Sequence, residues 1–86
     1  LSVEFTKMNT NEITIYPNPS SGISTIKWDT NDIEKIAVID QSGRIISELQ
    51  PEDSAYLNAS DYNAGIHYVQ FTHANGEVST KKWIVQ

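Results

Sequence analysis

Gly65-Ile66-His67-Tyr68-Val69-Gln70-Phe71-Thr72, His73-Ala74-Asn75-Gly76 and Glu77-Val78-Ser79-Thr80-Lys81-Lys82-Trp83-Ile84-Val85, read in succession, decide the fold. Two runs rich in β-branched and aromatic residues flank an Asn-Gly pair, which is the strongest short-range hairpin signal. Read as a two-residue turn with both central residues at positive φ, Asn75-Gly76 pairs Tyr68 with Trp83, Ile66 with Val85 and His67 with Ile84. Tyr68 and Trp83 then form an aromatic cross-strand pair, worth roughly 0.2–1 kcal/mol over alanines.

Upstream the same rhythm recurs. Short β-prone runs are separated by Gly, Pro, Asn, Asp and Ser clusters at about 8–12-residue spacing, and helical periodicity is poor. Leu1–Asn11 reads as linker and Glu12–Tyr16 as a strand stopped by Pro17 and Pro19, neither of which can donate to a ladder. After a turn at Ser20-Ser21-Gly22, the strand Gly22–Trp28 places Ser24, Ile26 and Trp28 on one face and Ile23, Thr25 and Lys27 on the other. Glu34–Asp40 and Arg44–Leu49 form a hairpin around Gln41-Ser42-Gly43, with Gly43 in the left-handed position of a three-residue loop. That hairpin pairs Asp40 with Arg44, Ile39 with Ile45 and Val38 with Ile46; apolar residues on both of its faces predict a place inside the sheet. Tyr56–Ala59 is a short strand, and Ser60–Gly65 is the turn into the last hairpin. The sum is an all-β, antiparallel β-sandwich of about seven short strands, one domain over residues 12–86.

At 86 residues the chain buries only roughly 60–65% of its unfolded surface, so the core is thin. No cysteine is present, which removes disulfides, thiolate zinc sites and a cysteine nucleophile. A net charge of −5 argues against a nucleic-acid binder, which needs a basic face. Leu1, in place of an initiator methionine, reads as a cut point in a longer chain.

Chemistry is sparse. His67 and His73 lie on one strand roughly 20 Å apart and cannot share a metal, so His67 reads as half-buried and His73 as flanking a turn. Asp29, Asn31 and Asp32, or Glu52 and Asp53, offer at most a weak calcium loop; solvated acids are the plainer reading. Ser60, Asp61 and His67 are close in sequence, but nothing suggests the pocket a nucleophilic site needs. No cofactor is expected. Asn58-Ala59-Ser60 is a formal N-glycosylation acceptor. Trp28, Trp83 and the tyrosines could stack on sugars, although core packing is the simpler role; Trp83 beside Tyr68 is the best candidate for a partner-contacting patch.

Four segments in order resemble the type A C-terminal sorting domain of the type IX secretion system. Tyr16-Pro17-Asn18-Pro19 with Gly22 is similar to its opening YPNP motif and turn. Asp40 through Gly43-Arg44 is similar to its D-x-x-G-[RK] hairpin, and Gly65-Ile66-His67-Tyr68-Val69 to its G-x-Y-aromatic-V strand, with His67 where tyrosine is usual. Lys81-Lys82-Trp83-Ile84-Val85-Gln86 is similar to its closing lysine-rich strand.

The resemblance implies an Ig-like sandwich that is an address, not an enzyme. It implies as partners an upstream cargo, the outer-membrane translocon and its shuttle protein, and a sortase-like cysteine protease that cuts in or before Leu1–Glu12. A monomer is expected, and a Gram-negative host in which the cargo crosses the periplasm and reaches the cell surface or the medium. Docking is expected to use the prolines' free carbonyls and an open backbone edge on Lys81–Gln86. Asp53-Ser54-Ala55 is similar to an O-glycan acceptor of such bacteria, which makes Ser54 a candidate site. The rival reading is a carbohydrate-binding or generic Ig-like accessory module, which predicts a solvent-facing aromatic platform.

Overall fold

The computed structural model describes residues 13–28, 32–51 and 56–86. Their elements, in chain order, are β1 (Thr14–Tyr16), β2 (Ile23–Lys27), β3 (Ile33–Ile39), β4 (Ile45–Leu49), β5 (Tyr56–Asn58), a single 3-10 turn (Ala59–Asp61), β6 (Gly65–His73) and β7 (Val78–Val85). They build two antiparallel sheets, ordered β1-β2-β5 and β4-β3-β6-β7, as in an Ig-like sandwich. The seven-strand, all-β expectation holds.

Alternation along each strand fills the space between the sheets. Ile15, Ile26 and Leu57 come from the three-stranded sheet, and Ile36, Val38, Val69, Phe71, Trp83 and Val85 from the other. Ser24 is fully buried, on the face it shares with Ile26 as the strand alternation groups them. Trp28 is half-buried and packs against the same cluster, so it offers no open platform.

Both hairpins of the four-stranded sheet turn through the same three-residue loop. The Asp40 and His73 N–H groups donate to the Arg44 and Glu77 carbonyls, at 3.0 and 2.8 Å, while Gly43 and Gly76 donate back to Asp40 and His73. The two glycines take φ of +94° and +92°, and no other residue type adopts positive φ among the described residues. Asn75 therefore does not have the positive φ expected of it. It instead accepts a hydrogen bond from the Glu77 N–H at its Oδ1.

A loop of three residues rather than two moves the β6–β7 register by one. The pairs are His67 with Trp83, Tyr68 with Lys82 and Ile66 with Ile84, not the expected Tyr68–Trp83, His67–Ile84 and Ile66–Val85. Because the side-chain period is two, this slip changes which partners share a face. Trp83 is fully buried beside His67, and Tyr68 points outward beside Lys82, so the expected Tyr68–Trp83 patch does not exist.

In the first hairpin Ile39 pairs with Ile45 as expected, but Val38 pairs with Ser47 because a β-bulge inserts Ile46. Of this hairpin's two strands only β3 lies inside the sheet. β4 forms its edge, with Ile45 and Ile46 both exposed, which corrects the expectation of an interior hairpin.

Candidate recognition surface

The segment after β1 holds the far edge of the other sheet. β6–β7 pairing turns the backbone groups of Ser79, Lys81, Trp83 and Val85 toward β6 and leaves those of Lys82, Ile84 and Gln86 facing out. Asn18 covers two of these with its side-chain amide. Its Nδ2 donates to the Lys82 carbonyl at 2.7 Å, and the Ile84 N–H donates to its Oδ1 at 2.9 Å. Ser20 continues the ladder with its backbone: its N–H donates to the Ile84 carbonyl and its carbonyl accepts from the Gln86 N–H, each at 2.8 Å, in a parallel bridge.

An asparagine side chain carries a peptide-like donor and acceptor, so it can stand in for a strand residue. Pro17 and Pro19 have no N–H to leave unsatisfied on either side. The edge expected to lie open along Lys81–Gln86 is thus already occupied from Lys82 O to Gln86 N.

Beneath this clamp lies a polar chain that sequence reading missed. The buried Ser24 hydroxyl donates to the Pro17 carbonyl at 2.7 Å and accepts from the Trp83 indole Nε1 at 3.0 Å. One hydroxyl on β2 therefore satisfies the core tryptophan of β7 and holds the proline segment. The Pro17 carbonyl is not free, contrary to expectation. The Ser20 hydroxyl donates to the Gly22 carbonyl, which also accepts from the Ala59 N–H.

The remaining motif residues meet at the same end of the sandwich. Asp40 organises its loop by accepting at Oδ1 from the Ser42 N–H, the Ser42 hydroxyl and the Arg44 N–H, at 3.0, 2.7 and 3.0 Å. The Ser42 hydroxyl and then the Arg44 backbone N–H hold the Asp40 carboxyl below its ordinary value. Arg44 stands mostly in solvent, with Nε 3.6 Å from Asp40 Oδ2. Across from this loop, Gly65 takes φ of +132° as it opens β6. Asp40, Arg44, Ala64, Gly65 and His67 line an open hollow of about 330 Å³. His67 is buried, more so than expected, and packs with Tyr62 and Trp83 in a cluster of three rings whose centroids lie 5.2–5.7 Å apart. Gly65 pairs with Val85, which joins this corner to the clamp.

Of the other expected residues, Tyr16 is exposed at the end of β1, Lys81 is half-buried, Val85 is buried and Lys82 and Gln86 are exposed. Ser54, Asp29, Asn31, Glu52, Asp53 and the cut region 1–12 lie outside the described residues. Among the described residues no group of three or more His, Asp or Glu side chains could hold a metal. The Ser60 N–H and hydroxyl both donate to Oδ1 of Asn58, which caps the 3-10 turn.

At the opposite end, His73 bridges two segments. It is buried, with Nδ1 3.1 Å from Asp32 Oδ1 and Nε2 2.8 Å from the Ser79 hydroxyl. A carboxylate can only accept, which puts the proton of the neutral ring on Nδ1 and leaves Nε2 to accept from Ser79. The Asp32 carbonyl also accepts from the Ala74 N–H at 2.7 Å, so ring and backbone together fasten Asp32 to the last hairpin.

A family described as "Secretion system C-terminal sorting domain" matches residues 14–86. An endo-acting ulvan lyase of Formosa agariphila is 28% identical over 88 aligned positions, which take in the whole of this chain but 17% of that protein. The chain spans only that small share of the relative's length. From β1 through β7 it belongs to the type IX secretion C-terminal sorting domains, signal domains that send the protein bearing them to the cell surface or beyond.

Proposed function

We propose that the outer-membrane translocon and its shuttle protein read this domain as a folded shape, at the sandwich end where its four motif segments meet. The observation that carries the reading is their convergence. Tyr16–Pro19 and Lys82–Gln86 bind each other, and Asp40–Arg44 and Gly65–His67 face each other across one hollow. Motifs far apart in sequence and joined at one corner suit recognition by docking, with no bond made or broken in the domain. Arg44, Lys82 and Gln86 are among its exposed polar members. The domain travels with its cargo through the periplasm, and a sortase-like cysteine protease removes it in or before Leu1–Glu12 once the cargo is outside.

The test fuses the whole chain to a fluorescent reporter that carries an inner-membrane export signal, in a bacterium with this secretion system. Surface or medium fluorescence is expected for the parent, and its loss when Lys81–Gln86 is deleted. Equal delivery without those residues would sink the reading.

A carbohydrate-binding role is the second reading, favoured by a row on the outer face of the three-stranded sheet. Tyr16 pairs with Thr25, and Thr25 with Tyr56, so two tyrosines at 46% and 63% exposure flank one hydroxyl across about 10 Å. Saccharide binding by the parent that is lost in Tyr56→Ala, with export unchanged, would favour it.

A further inference from the structure

Asp32, His73 and Ser79 form one hydrogen-bonded line at the end of the sandwich away from the motif corner. Asp32 Oδ1 lies 3.1 Å from His73 Nδ1, and His73 Nε2 lies 2.8 Å from Ser79 Oγ. With the ring's proton on Nδ1, the bare Nε2 accepts from the serine hydroxyl. That is the polarity a general base needs toward a nucleophile. The carboxylate fixes the tautomer and orients the ring, and the ring is set to take the hydroxyl proton. Burial divides along the line as such an arrangement requires. The His73 side chain is 10% exposed, whereas Ser79 is only half-buried and the Thr80 that follows it is exposed.

The strand edge beside this serine is open. The His73 N–H bonds to the Glu77 carbonyl, so alternation along the ladder turns the Ser79 backbone toward β6 and the Thr80 N–H outward. The clamp formed by Asn18 and Ser20 begins only at Lys82, and no described residue takes the Thr80 N–H. The amide of the residue after a serine nucleophile is a recurrent oxyanion donor, and this one is unspent. Nucleophile, base, orienting carboxylate and one oxyanion donor thus meet at an accessible edge.

We propose that Ser79 is an acyl-transfer nucleophile acting on esters of short-chain carboxylic acids, with His73 as its base and Asp32 as the positioning residue. Ser79 Oγ bonds to the ester's carbonyl carbon while its proton passes to His73 Nε2, and the Thr80 N–H holds the oxyanion. As the oxyanion collapses, the ester C–O bond breaks and the alcohol leaves with the proton from Nε2. Water then attacks the acyl-serine and gives its proton to Nε2. The acyl–Oγ bond breaks, Oγ regains that proton, and the carboxylic acid departs. An exposed strand edge suits a small acyl group, which needs little apolar surface to hold it. The activity stands apart from the sorting reading, whose residues lie at the other end of the sandwich.

The test exposes the whole chain to a fluorophosphonate, which a serine Oγ attacks with loss of fluoride, and locates the adduct by peptide mass. Hydrolysis of p-nitrophenyl acetate measures turnover. A single adduct on Ser79 is expected, and Ser79→Ala should abolish both signals. Asp32→Asn gives Nδ1 a donor and so turns an N–H toward the serine; it should slow labelling about tenfold or more, while Asp32→Glu largely keeps it. Thr80→Pro, which removes an N–H that the β6–β7 ladder does not use, should slow hydrolysis by a comparable factor. Thermal melts check that each chain is folded. A folded parent that takes no label at Ser79 overturns the inference. So does equal labelling of the parent and a folded Asp32→Asn variant, or hydrolysis that survives in Ser79→Ala.

Discussion

Replacing Ser24 by alanine removes one oxygen from the core and leaves two polar groups without a partner. The first is the Trp83 indole N–H, which donates to Ser24 Oγ at 3.0 Å in a fully buried setting. An unsatisfied buried donor costs about 1–3 kcal/mol. The second is the Pro17 carbonyl, which accepts from the same hydroxyl at 2.7 Å and lies in an exposed segment where water can replace it, so its loss adds about 0–1 kcal/mol. The expected destabilisation is about 2–3 kcal/mol, the middle of that combined range, or roughly 8–24 °C in Tm for a domain of this size. Urea unfolding followed by tryptophan fluorescence measures it, with the m-value expected to stay constant. A double-mutant cycle with Trp83→Phe isolates the bond, since phenylalanine has no N–H to strand; the Ser24→Ala penalty should shrink by about 1 kcal/mol or more in that background. A single Ser24→Ala variant within about 0.5 kcal/mol of the parent would refute the claim that this hydroxyl ties the two sheets together.

Asn18→Ala should cost about 1–2 kcal/mol by freeing the Lys82 carbonyl and the Ile84 N–H, and hydrogen exchange should accelerate at the Ile84 amide before it does at core amides. Asn18→Asp should be worse than alanine, because a carboxylate oxygen then faces the Lys82 carbonyl; urea midpoints rank the two. Asp40 has a folded-state pKa below that of an ordinary, unfolded aspartate, so the stability it contributes is present above the ordinary value and is lost as pH falls through the lower folded one. Asp40→Asn should therefore flatten the acid limb of a stability-versus-pH curve in that window. His73→Ala empties a buried site and removes the ring's hydrogen bonds to Asp32 and Ser79, and should lower stability by about 2–4 kcal/mol in denaturant titrations.

The strands, their antiparallel sense and the division of β2 into two faces were legible because each rests on local alternation and turn chemistry. The β6–β7 register was not, and the reason is specific. Asn-Gly suits a two-residue turn, but Gly76 stands to His73 as Gly43 stands to Asp40, and both pairs close a three-residue loop. Gln41-Ser42-Gly43 forms the expected three-residue loop, and the same spacing recurs at Ala74-Asn75-Gly76. The bulge at Ile46 leaves no mark in composition, and apolar residues on both faces of β4 look alike whether the strand is central or at an edge. Motif residues could be picked out one by one. That Asn18 completes the β7 ladder, or that His73 reaches Asp32, depends on residues 66 and 41 positions apart, and no local pattern encodes such contacts.

The Asn18–Ser20 clamp also sets an order of assembly. Contacts between residues this far apart form only after the intervening hairpins have brought β7 into place, because closing the long loop earlier costs entropy with little return. The corner where the motifs meet is thus among the last parts of the domain to take shape, and a partially collapsed chain does not yet carry it. A receptor that binds this corner selects chains that have finished maturing, and destabilising changes far from the contact surface will register as lost delivery even when every contacting side chain is intact.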